Sequence, residues 1–278
     1  GNLFAIKRFE YFVRKVSMGE KVDGIKYGFD GDFIRAINFR VAAGAPWGGK
    51  LRDVNVDVGD TEAVGWNEVP TRFHLYSRWL EAQMKRSSSN PDDIVMALET
   101  AAGAHYGLTQ PDLHPFHVGN GRTARGLVNA ILMHSADELR LHKIALPPVP
   151  ILRSYDADLD RRYIRALKSV GETKTLNPLM AFLAKRWSEN LAELLARINA
   201  EFGIPKSEAD KQMVNTLIRR KTRLDEFVHG SAENGNGNGN GNGHANGKHK
   251  KSEYVAYEIP RYFDNEWLKR DQPPHEDL

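Results

Sequence analysis

Residues 113–125 read Leu-His-Pro-Phe-His-Val-Gly-Asn-Gly-Arg-Thr-Ala-Arg. Two glycines flank an asparagine, and the apolar spacing of Leu127, Ile131 and Leu132 follows at once, which calls for a tight turn opening into a helix. The first backbone N–H groups of a helix have no intrahelical acceptor and sit at the positive end of its dipole. The turn Gly119-Asn120-Gly121 is therefore predicted to present an anion cradle. Arg122 and Arg125 are three apart, on one face of the first turns, where guanidinium groups can fork onto phosphate oxygens. His114 precedes the turn and can take a proton from an attacking hydroxyl. This is not a P-loop, because no Gly-Lys-Ser/Thr follows.

Position by position, the stretch resembles the Fic (filamentation-induced-by-cAMP) motif, His-x-Phe-x-(Asp/Glu)-(Gly/Ala)-Asn-Gly-Arg-x-x-Arg. The matches are His114, Phe116, Gly119, Asn120, Gly121, Arg122 and Arg125. The resemblance covers roughly residues 39–195 and implies a mainly α fold, a Fic-like helical bundle with a β-hairpin flap. It implies a nucleotidyltransferase of the AMPylation type, which moves a nucleoside monophosphate from ATP or another NTP to a Ser, Thr or Tyr hydroxyl of a protein or peptide. In that scheme His114 is the general base and Gly119, Asn120 and Gly121 bind the α/β-phosphates. Arg122 and Arg125 hold the β/γ-phosphates, and Phe116 packs inward to fix the loop.

One position departs from the pattern. The family's acidic residue, which holds a magnesium ion, falls on Val118, and a valine has no oxygen to offer a hard cation. His117 beside it suits zinc or copper better and reads as an exposed loop residue. Two other readings stand beside the transferase. One is a catalytically impaired nucleotide-binding or scaffold protein; the other is a Fic-like transferase using another phosphate donor, such as CDP-choline or UTP. The family's self-inhibitory Ser/Thr-x-x-x-Glu-(Gly/Asn) device has no full match; residues 77–81 and 222–226 fit five positions and then give Ala82 and Phe227.

Upstream, Val54, Val56 and Val58 alternate with Asp53, Asn55 and Asp57, the period-2 pattern of a half-buried strand, and Gly59-Asp60 turns the chain. Val64, Trp66 and Val69 are expected on the return strand. A two-stranded hairpin leaves an open edge that can accept an extended peptide. By the resemblance, Val54, Val56, Val58, Val64 and Trp66 line a target-docking flap.

The remaining pattern is helical. Residues 89–93, Ser-Asn-Pro-Asp-Asp, read as a helix start, with Ile94, Leu98, Ala101 and His105 on one face and an end near Gly107. Leu176-Asn177-Pro178 opens a helix with a stripe of Leu179, Phe182, Leu183, Trp187, Leu191, Leu194 and Ile198. Pro205 starts a last one, carrying Val214, Leu217, Ile218, Leu224 and Phe227.

Three segments are expected: a Fic-like catalytic domain over residues 1–229, a flexible Asn/Gly linker over 230–251, and a tethered aromatic-rich peptide over 252–278. The strict Asn-Gly alternation of residues 234–243 has nothing to bury. It reads either as a junction between two polypeptides or as natural low complexity, with a reach of roughly 25 Å. Beyond it, Tyr254, Val255, Tyr257, Ile259, Tyr262, Phe263, Trp267 and Leu268 form a dense set of anchors. The segment is expected to dock on the body, with the flap as platform, as substrate or inhibitor.

With 41% apolar and 27% charged residues and no cysteine, disulfide frameworks, thiol catalysis and Cys-based zinc sites are excluded. No apolar run approaches membrane-span length, so no membrane association is expected. The net charge of +3 is too mild to call for nucleic acid. A cytoplasmic protein fits, as does a secreted, toxin-like effector acting in a host cytosol.

Overall fold

The computed structural model describes residues 11–42, 45–89, 93–135, 157–202, 207–233, 255–260 and 262. After a helical stretch at 11–17, the order is α1 (Gly31–Val41), β1 (Asp57–Val58), β2 (Thr61–Glu62), a 3-10 turn (Trp66–Glu68), α2 (Val69–Ser89), α3 (Ile94–Thr109), α4 (Asn120–His134), α5 (Ala157–Thr173), α6 (Asn177–Phe202) and α7 (Glu208–Glu233). The mainly α expectation holds. The chain divides into two compact units, Gly1–Leu152 with Pro260–Leu278, and Arg153–Ile259.

In the first unit α3 is the central element. Ala97, Leu98, Ala101, Ala102, Ala104 and Leu108 are all fully buried, so the helix is enclosed on nearly every side and not along the single face its spacing suggested. Small side chains allow this, because α2 and α4 both pack on α3 and α1 packs on α4. The helix begins later than the Ser89 signal predicts. Ser89 closes α2, and the Asp93 carboxylate caps α3 by accepting from the N–H groups of Val95 and Met96 at 3.1 and 3.0 Å. Pro91 lies outside the described residues.

In the second unit α6 packs on both α5 and α7. Leu179, Leu183, Trp187 and Leu191 are buried as predicted, with Tyr163 and Ala166 of α5 and Leu217 and Leu224 of α7. Ile218 departs from its expected stripe and is exposed. Helix α7 starts at Glu208, not at Pro205, which lies outside the described residues, and it runs to Glu233, into the expected linker. The linker itself lies outside the described residues beyond that point.

Residues 255–258 pair with the corner between α5 and α6. Asn177 donates from Nδ2 to the carbonyl of Val255 and accepts from the N–H of Tyr257, both at 2.8 Å, while the N–H of Leu176 donates to the carbonyl of Tyr257 at 2.6 Å. Asn177 thus reads an extended backbone through both ends of its amide. Among the described residues, 255–258 thus pair with this corner and not with the hairpin.

Candidate active site

The hairpin is far shorter than its alternation predicts. Only Asp57↔Glu62 and Val58↔Thr61 pair as strands, with one further bond from the N–H of Ala63 to the carbonyl of Val56 at 3.0 Å. Val54, Val64 and Trp66 are not in strands; Trp66 opens the 3-10 turn and Val69 opens α2. Two features account for this. Asp57 opposite Glu62 sets like charges against each other. At the base, the carbonyls of Val54 and Val64, which a longer ladder would use, are taken by Arg52. Val54 and Trp66 are exposed, whereas Val56, Val58 and Val64 are half-buried.

Arg52 is one residue that sequence reasoning missed. It is 2% exposed, with Nη1 donating to Val54 at 2.8 Å, Nη2 donating to Val64, and Nε donating to the carbonyl of His114 at 2.9 Å. Its own N–H donates to the carbonyl of Pro115 at 2.9 Å, and Leu51 bridges to Phe116. One buried side chain therefore ties both legs of the hairpin to the loop that carries His114. The only sequence signal was a basic residue at the foot of an alternating strand.

His114 has φ of 37°, a left-handed conformation that a non-glycine residue before proline seldom takes, and these bonds hold it there. Burial pushes its imidazole below the usual value, with the Arg52 cation acting the same way and the backbone of Thr109 opposing both. Nδ1 is buried without a hydrogen-bond partner.

Gly119 takes φ of 83° and ψ of 9° as the N-cap of α4, and no side chain caps the helix. The N–H groups at its start are left open to an incoming acceptor. The side chain of Asn120 is buried. Oδ1 accepts from the N–H of Phe116 at 3.0 Å and Nδ2 donates to the carbonyl of Phe116 at 2.8 Å, so the amide braces the loop. Phe116 is 1% exposed, edge-on to Phe73.

Arg122 is exposed and anchored by Nη1 donating to the carbonyl of Val41 at 2.8 Å. Arg125 is buried, and its Nε has no hydrogen-bond partner. A buried guanidinium N–H without an acceptor is costly unless something arrives to take it. Nearby His105 adds no second charge, because burial, with Arg125 beside it, pushes its imidazole down to about 3.

Val118 is 38% exposed, and its carbonyl accepts from Nδ2 of Asn38 at 2.9 Å. Asn38, also absent from the sequence reading, is a buried bracket that reaches Oγ1 of Thr123 at 3.1 Å and takes the N–H of Gly49 at 2.9 Å. His117 is not the free loop residue expected. Its Nε2 lies 3.1 Å from Oδ1 of Asp53, and its ring packs near Trp47. Glu81 pairs with Arg78 on the surface of α2.

Among the described residues no helix is long and apolar enough to cross a membrane. The family model described as Fic/DOC matches residues 28–132. A protein adenylyltransferase Fic of Nematostella vectensis is 36% identical over 148 residues, 53% of this chain and 29% of that protein. The protein adenylyltransferase Fic of Drosophila melanogaster is 31% identical over 196 residues, 67% of this chain and 35% of its own length. That of Drosophila ananassae is 31% identical over 137 residues, 49% and 23% respectively. The chain thus spans about a third or less of the curated relatives it matches. The span that matches the Fic/DOC model holds the hairpin, the histidine loop and the uncapped helix together.

Proposed function

We propose that the chain transfers an adenylyl group from ATP to a hydroxyl of a protein. The observation that carries this reading is the pairing of an uncapped helix start with the buried, unpartnered Nε of Arg125, two anion-seeking features on the same turns of α4. The similarity to proteins named adenylyltransferase supports ATP as the donor. His114, held neutral by burial, accepts the proton of the target hydroxyl as its oxygen bonds to the α-phosphorus. The bond between the α-phosphorus and the bridging oxygen breaks, and pyrophosphate departs with the electron pair. The open N–H groups at the start of α4, with Arg122 and Arg125, offset the charge that grows on those oxygens.

The magnesium ion implied by the family does not fit the residues present. Val118 offers only methyl groups and a carbonyl already taken by Asn38, and among the described residues no three His, Asp or Glu are arranged to hold a metal. No step is therefore routed through one. This same observation favours the impaired, nucleotide-binding reading as second choice.

Incubating candidate proteins with ATP labelled either on adenine or on the γ-phosphate tests the first reading. Adenine label should enter the target and γ-label should not. Nucleotide binding without any transfer, from ATP, CTP, UTP or CDP-choline, would establish the second reading instead. Val118→Asp is expected to raise the rate at least about tenfold and make it magnesium-dependent, since a bound cation contributes several kcal/mol to such a step. The position is exposed, so the fold tolerates the change. A folded variant with no gain refutes the limiting role of Val118.

A further inference from the structure

Pro260 and Tyr262 return to the first unit, against α2 and α3. Tyr262 is 5% exposed. Its ring lies 4.8 Å from that of Trp79, edge-on at 86°, and 5.5 Å from that of Tyr76, and its hydroxyl donates to the carbonyl of Gly103. Tyr76 makes the parallel contact one residue further on, donating to the carbonyl of Ala104 at 2.6 Å. Two glycines one helical turn apart make room for these rings. A Cβ on Gly103 would come within 2.9 Å of Trp79 and 3.2 Å of Pro260. A Cβ on Gly107 would come within 2.7 Å of Tyr76 and 3.0 Å of Tyr262. Glycine is disfavoured in a helix interior, and here the pair serves the packing.

We propose that the Gly103–Gly107 face of α3, with Tyr76 and Trp79, is a tyrosine slot: a peptide-docking site on the Fic domain that recognises a Pro-x-Tyr segment and is filled in cis by Pro260–Tyr262. The slot selects its occupant in two ways. The floor of backbone and ring edges fits a flat aromatic, and the Gly103 carbonyl needs a donor at the far end of that ring. Phenylalanine meets the first requirement and not the second. The phenol is held well above its usual pKa by burial, so it stays a donor across the working pH range. A hydroxyl spent in this way is not a nucleotide acceptor, which makes Tyr262 an anchor and not the labelled tyrosine of a substrate segment. The slot lies on the helix whose C-terminal end leads into the loop of His114.

The test uses the full chain. A labelled synthetic peptide of residues 258–266 is titrated by fluorescence anisotropy against the unaltered chain and against Tyr262→Ala, which vacates the slot. Tethering holds the native anchor at about millimolar effective concentration, so the peptide should bind Tyr262→Ala at least about tenfold more tightly than the unaltered chain. A peptide with Phe at position 262 should bind about tenfold more weakly than the tyrosine peptide. Equal binding to both chains, or none to Tyr262→Ala, overturns the proposal. Hydrogen exchange guards against a misfolded variant. In full-length Tyr262→Phe, which keeps the ring, amides of residues 103–107 should exchange several-fold faster; unchanged exchange there overturns the proposal equally.

Discussion

His114→Ala is expected to lose adenylyl transfer by about 10²–10⁴-fold, the usual contribution of a positioned general base, while nucleotide affinity stays within several-fold. The two effects separate if, as proposed, binding rests on backbone N–H groups of α4 and on Arg122 and Arg125, whereas the imidazole sits on the loop before that helix. Single-turnover transfer and equilibrium binding of a fluorescent ATP analogue measure them independently. The pH profile carries a matching sign. The base must be neutral to act, and burial lowers the His114 pKa, so the acid limb of kcat/KM should have its midpoint below the ordinary histidine value of about 6.5. A midpoint above that value, or undiminished transfer by the alanine variant, removes His114 from the reaction.

Arg52→Leu is expected to cost about 2–4 kcal/mol of unfolding free energy, because it deprives three part-buried carbonyls of a charged donor at once. Those carbonyls belong to Val54, Val64 and His114, so the damage falls on both legs of the hairpin and on the strained backbone of the histidine. Arg52→Lys should not restore the loss, since a single ammonium cannot reproduce the guanidinium fork. Urea unfolding measures the stability. A loss below about 1 kcal/mol would mean that water re-enters and satisfies the carbonyls. Arg52 is a positioning residue, so transfer should fall with kcat while KM for nucleotide holds.

The helical plan was legible because apolar spacing repeats over many residues. Leu179, Leu183, Trp187 and Leu191 needed no tertiary information to be placed on one face of α6. The turn at Gly119 was legible for a local reason too, since only glycine enters that backbone region freely. The hairpin misled because alternation reports which side chains face inward and not which backbone groups are taken. The carbonyls of Val54 and Val64 are claimed by a side chain that precedes both. Asn38 and Arg52 act across long sequence separations, through hydrogen bonds that no periodicity encodes. The amide of Asn120 serves the loop, a role visible only once Phe116 is folded back beside it.

That brace has a bearing on chemical ageing. An asparagine followed by glycine deamidates when the next backbone nitrogen attacks the side-chain carbonyl carbon, which requires the side chain to swing towards that nitrogen. In Asn120 both heteroatoms are held by Phe116, and Gly121 is locked in the first turn of α4, so the reacting atoms are kept from aligning. Were the amide to become a carboxylate, it would lose its donor to the Phe116 carbonyl and set a buried negative charge against that carbonyl oxygen. The same two bonds that shape the loop therefore also set its shelf life, and they make peptide mapping of aged protein a sensitive gauge of whether the loop remains closed.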